Sequence, residues 1–86
     1  MKAPKLISSV MPQYPFAARE ANIQGDVVID TLIAPNGSVA HMKVVSGPAM
    51  LREAALDALR RWRYQPSELD GKPVAVQMLV TIRFRQ

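Results

Sequence analysis

Cysteine is absent from the 86 residues. Disulfide frameworks, thiolate metal sites and cysteine nucleophiles are therefore excluded together, while the redox compartment stays open. Histidine is nearly absent too: His41 stands alone, which rules out a histidine-rich metal site or a pair of titrating imidazoles. Acidic residues are few, seven against eleven lysines and arginines, for a net charge of +4. No apolar run approaches the roughly 18–20 residues that a membrane helix needs. The opening Met1-Lys2-Ala3-Pro4-Lys5 leads into no apolar stretch long enough for a secretion signal. Neither a membrane span nor a signal peptide is expected within the chain.

What is present is an ordinary globular balance, 49% hydrophobic and 21% charged residues, in a length that fits one domain. A chain this short buries little more than about 60% of its unfolded surface, so association with a second copy is a standing expectation.

Residues 1–12 read as an extended leader punctuated by Pro4 and Pro12, followed by the domain proper at 13–86. Pro15 sits where its missing N–H costs little and opens a short helix expected over Phe16–Asn22. From Asp26 to Ile33 the side chains alternate, with Val27, Ile29 and Ile33 on one face and Asp26 and Asp30 on the other. Ala34-Pro35-Asn36-Gly37-Ser38 has the chemistry of a type I turn followed by a G1 bulge, and Val39–Ser46 returns as the second strand of a hairpin. Pro48 starts a second helix. There Leu51, Ala54, Ala55, Ala58, Leu59 and Trp62 recur at three- and four-residue steps, and Pro66 is expected to stop it. Asp57 and Arg61 stand four apart in the favourable orientation for a helical ion pair. After a turn at Asp70-Gly71-Lys72-Pro73, the alternation from Val74 to Arg85 predicts one long strand with a single buried face.

The order helix, strand, strand, helix, strand predicts an α+β fold. Two helices cover one face of a three-stranded antiparallel or mixed sheet whose first strand is central. The long C-terminal strand then lies on an edge. It carries no proline between Val74 and Gln86, and only Arg83 and Arg85 blunt it. Such an edge is either covered by the leader or paired with another chain. Which parity of its main-chain groups faces outward is left open by the sequence.

Gln13-Tyr14-Pro15, Ala17-Ala18, Gly25, Asn36-Gly37, Ser46 and above all Arg60-Arg61-Trp62-Arg63-Tyr64-Gln65-Pro66 resemble the C-terminal domain family of TonB, energy transducers of Gram-negative envelopes. The resemblance runs from about Pro12 to Arg85 and implies a periplasmic domain. In that family the domain captures the TonB box, a short extended segment of an outer-membrane transporter, by adding it to the last strand. A proton-driven motor in the inner membrane then works on the transporter's plug through this link. Carried over by position, the resemblance assigns partner contact to Val76, Gln77, Met78, Leu79, Val80, Thr81, Ile82 and Arg83, with Gln13, Tyr14 and Pro15 as a second region. The chain lacks the family's membrane anchor and proline-rich spacer and is expected to be one domain of a longer, inner-membrane-anchored parent.

Other functional readings have simpler counterparts. Trp62 and Tyr64 among Arg60, Arg61 and Arg63 could stack bases or hold phosphate. A buried helix stripe ending in cations that suit the helix dipole accounts for the same residues, and no nucleic-acid motif is present. His41 has no Ser, Asp or Glu at a catalytic spacing, and Asp26 with Asp30 reads as the polar side of a half-buried strand. No catalytic residue, cofactor or metal is expected. A self-pairing scaffold domain, a homodimer through the open edge, stands as the alternative to strand capture.

Overall fold

The computed structural model describes residues 4–86. In chain order they form β1 (Lys5–Ser8), α1 (Phe16–Glu20), β2 (Gly25–Ile33), β3 (Val39–Ser46), α2 (Ala49–Arg60), β4 (Arg63–Gln65), β5 (Ser67–Leu69), β6 (Lys72–Val74) and β7 (Val76–Phe84). The expected α+β class and the central first strand are both present: the main sheet has the order β3-β2-β7 and is antiparallel throughout. β2 and β7 pair without interruption from Gly25↔Phe84 to Ile33↔Val76. β3 follows β2 less regularly, with bulges near Val28/Ile29 and Leu32/Ile33.

The β2–β3 hairpin closes as its residues dictate. The Gly37 N–H donates to the Ala34 carbonyl at 2.9 Å and the Ala34 N–H to the Ser38 carbonyl at 2.8 Å, a type I turn with a G1 bulge. Gly37 takes φ +88, and a Cβ there would lie 2.0 Å from the Tyr64 carbonyl oxygen. Glycine is thus required twice, for the left-handed backbone and for the close passage of β4.

The inward residues of β2 and β7 meet both helices. Val27, Ile29, Val80, Ile82 and Phe84 form one buried cluster with Ala18 of α1 and Leu51, Ala55 and Leu59 of α2. Burying each leucine fully contributes about 1.5–3 kcal/mol relative to exposure. The start of α2 is held close to β2 at Gly47, whose added Cβ would stand 2.9 Å from Val27 Cα. Asp57 pairs with Arg61 at 3.6 Å, as the spacing predicts, and with Arg60 at 3.4 Å.

Three expectations are corrected, and one open alternative is narrowed. α1 ends at Glu20 rather than Asn22, because Asn22 adopts φ +57 and closes a Schellman motif: Ile23 N–H donates to Ala18 O (2.9 Å) and Asn22 N–H to Arg19 O (3.1 Å). α2 stops at Arg60, well before Pro66, and Arg63–Gln65 form β4. Trp62 lies beyond the last helical residue but still packs, half-buried, against the core cluster. Its indole N–H reaches the Val10 carbonyl at 2.9 Å. The expected single strand from Val74 is broken at Ala75 into β6 and β7. β6 belongs to a hairpin with β5 around Asp70-Gly71, both at positive φ (53 and 78) as a type I′ turn requires. Finally, among the described residues the leader does not cover the C-terminal strand. β1 pairs antiparallel with β4 through Lys5↔Gln65, Leu6↔Tyr64 and Ser8↔Arg63.

Candidate functional site: the outer edge of the last strand

β7 has β2 on one side and, among the described residues, no strand on the other. Which of its groups are free follows from the hairpin. Ala34 directs both its N–H and its C=O at the β3 side. Alternation along β2, unbroken in its register with β7, then turns Gly25, Val27, Ile29, Thr31 and Ile33 toward β7. Their partners Phe84, Ile82, Val80, Met78 and Val76 direct their main-chain groups inward. Gln86 continues the same parity, its N–H donating to Gln24 Oε1 at 2.9 Å. Gln77, Leu79, Thr81 and Arg83 therefore present their N–H and C=O groups at the open edge.

This edge begins at Val76, where pairing with β2 starts. In the preceding hairpin Leu69 and Lys72 flank the two-residue turn, so Pro73 opposite Glu68 takes a non-hydrogen-bonded position, where its missing N–H costs no ladder bond. The β3 edge is partly blocked by contrast. Ser38 bridges Arg63, and the Tyr64 N–H donates to the Gly37 carbonyl at 2.9 Å. The strongest unblocked template for another strand is β7.

Side chains beside the edge are graded in charge. Arg83 Nε and Arg85 Nη2 both lie 3.9 Å from Asp26 Oδ1, ion-pair rather than hydrogen-bond distance, so two cations share one carboxylate. Toward the other end the Gln77 amide donates at 3.1 Å to both oxygens of Asp30, whose neighbour across β3 is Lys43. Between these groups Leu79 is 62% exposed. Asp26 and Asp30 thus serve different partners and form no carboxylate pair.

Tyr14 braces the C-terminal end of this strand. Its ring meets Phe84 edge-on at 5.6 Å, its hydroxyl donates to the Ile23 carbonyl, and the Arg19 guanidinium lies 5.4 Å from the ring centroid. Pro15 is the N-cap of α1, and Gln13 is exposed. Gln13, Tyr14, Pro15 and Phe16 form one wall of a shallow groove, with Glu53, Ala54 and Asp57 of α2 opposite. The structure thus brings Tyr14 to the edge strand and turns Gln13 and Pro15 toward the helix layer. The edge parity depends on pairing and is not legible in the sequence, whereas the turn at Asp70-Gly71-Lys72-Pro73 is.

The remaining candidates are occupied structurally. Arg63 donates to the carbonyls of Arg60 (3.3 Å) and Trp62 (2.8 Å), closing the end of α2. Tyr64 is 5% exposed, its hydroxyl pushed to a higher pKa by burial, and offers no stacking face. His41 lies on exposed β3 opposite Leu32.

Known proteins resemble this chain in sequence and in fold. The chain is 35% identical to protein TonB of Vibrio cholerae over 85 residues, covering 95% of this chain and 35% of that protein. It is also 35% identical to protein TonB of Escherichia coli, covering 92% of this chain and 34% of that protein. It spans about a third of the length of these curated relatives. The solution NMR structure of the Pseudomonas aeruginosa TonB C-terminal domain superimposes with a TM-score of 0.78 at 26% identity, covering 96% of this chain and 86% of that one. The family model for the Gram-negative bacterial TonB protein C-terminal region matches residues 10–86, and the chain belongs to that family.

Proposed function

We propose that this domain is the strand-capturing end of a TonB-like energy transducer. It adds the TonB box of an outer-membrane transporter to the open edge of β7 and passes work derived from the proton-motive force to the transporter's plug. The observation that carries this reading is the open outer edge of β7, along which Gln77, Leu79, Thr81 and Arg83 present main-chain groups that can form a ladder. Tyr14, held against Phe84, stiffens the far end of the strand that bears the load, while Gln13 and Pro15, in the groove facing α2, are offered as a second contact region. The domain works in the periplasm. Its parent is anchored in the inner membrane and coupled there to the motor. No reaction is catalysed, no cofactor or metal is required, and nucleic acid is not a partner.

Titration of the labelled domain with short peptides copied from transporter N-termini tests the proposal. The amides of Gln77, Leu79, Thr81 and Arg83 are expected to shift most and to gain protection from exchange. Shifts confined to β3 or to the α1–α2 groove would overturn it. The same edge also fits a second copy of the chain, and sedimentation with and without peptide separates the two occupants.

A further inference from the structure

The leader is held to the body of the domain by short, exposed pairings. All four residues of β1 are exposed, and the strand joins β4 at three register positions with an irregularity between Leu6 and Ser8. β4 has three residues itself and meets the main sheet at the β2–β3 turn, through the Ser38–Arg63 bridge and the Tyr64 N–H on the Gly37 carbonyl. Beyond β1, the Trp62 indole donates to the Val10 carbonyl, and Met11 is exposed. At Tyr14 the attachment changes character. Its hydroxyl donates to the Ile23 carbonyl, its ring meets Phe84 edge-on, and the chain runs on into α1, whose Ala18 is fully buried. β2 and β7, by contrast, pair without a break over the buried cluster.

We propose that residues 5–13 form a releasable strap: tension from the N-terminal side peels β1 off β4 and draws Val10 from Trp62, and Tyr14 is the stop. The inference rests on the N-terminal anchorage of the parent put forward above. A short terminal strand opens locally at a free energy well below that of global unfolding, whereas a long ladder over a core opens with the whole domain. Leu6 is already 45% exposed, so it gives up little buried surface on leaving Tyr64. Once released, residues 5–13 span a contour of about 30 Å, at roughly 3.3–3.6 Å per residue. The main sheet is not disturbed, because β4 keeps its own bonds to Gly37 and Ser38. The strap adds reach at low tension. Once taut, it passes force through Tyr14 to Phe84 at the end of β7.

Force spectroscopy on the whole chain tests the strap, with one handle at the N-terminus and the other on an azide-bearing residue in place of exposed Leu79. That attachment bypasses any captured segment and any parent, so failure of strand capture would leave the force curves unchanged. An early release of up to about 30 Å is expected at about half the force of global unfolding or less. Because the chain has no cysteine, Lys5→Cys with Gln65→Cys, exposed and directly paired, can staple the strap. The oxidised variant is expected to lose the early release and the reduced one to regain it. At zero force, amides paired between β1 and β4 are expected to exchange about 100-fold faster than those between β2 and β7. A single unfolding event with no early release, an early release that persists in the oxidised variant, or equal protection of the two ladders overturns the strap.

Discussion

At the scale of single residues, the chemistry that places the site is mostly that of turns. Gly37 carries φ +88 and the Tyr64 carbonyl lies where its Cβ would stand, while Gly71 carries φ +78 with open space around it. Gly71→Ala should therefore show only the left-handed backbone cost, about 1 kcal/mol. Gly37→Ala adds displacement of β4 and should cost about 2–4 kcal/mol. Denaturant melts of the two variants check this, and equal losses would show that β4 yields without cost. The role of Gly37 in the hairpin was legible from Pro35-Asn36-Gly37, since that turn chemistry is local. Its second role was not, because nothing local announces that Tyr64 passes above it. Trp62 illustrates the same limit. Its spacing from Leu59 and Ala58 continues a helical stripe, yet the helix ends two residues earlier and the indole bonds to Val10.

At the scale of elements, length decided what could be foreseen. β2, α2 and β7 run for 9, 12 and 9 residues, long enough for a period to show, and each lies close to where its pattern put it. β4, β5 and β6 have three residues each, too few for any alternation. The edge position of β7 followed from the order of the long elements, but the parity of its free groups did not. It depends on the pairing of Ala34 with Ser38. That parity makes a chemical test. Backbone N-methylation at Val80 should lower the melting temperature, because it puts a methyl group between β7 and β2 and removes a ladder bond. The same change at Leu79 or Thr81 should leave melting nearly unchanged and abolish peptide capture. Thermal melts with parallel titrations of the semisynthetic variants read both outcomes. Loss of capture at Val80 alone, with Leu79 and Thr81 silent, would reverse the assignment.

At the scale of the whole molecule, one open edge has two competing occupants, and electrostatics gives them opposite signs. Two copies joined edge to edge around a two-fold axis run their β7 strands antiparallel. Arg83 of one then faces Gln77, Leu79 or Thr81 of the other, depending on register, and never a carboxylate on that strand. Each copy also carries a net charge of +4, so the pair is opposed by long-range repulsion. A peptide with an acidic residue beside Arg83 and Arg85 is instead drawn to the edge by the same charge. Salt screens both effects over about 10 Å at 0.1 M. Raising ionic strength from low to about 0.5 M is therefore expected to strengthen self-association and weaken capture of an acidic peptide, with an uncharged peptide nearly unaffected. Sedimentation equilibrium and peptide titration across that range give the two slopes. Slopes of the same sign would mean that the two copies meet somewhere other than β7, because an interface lacking opposed charges has only repulsion for salt to screen.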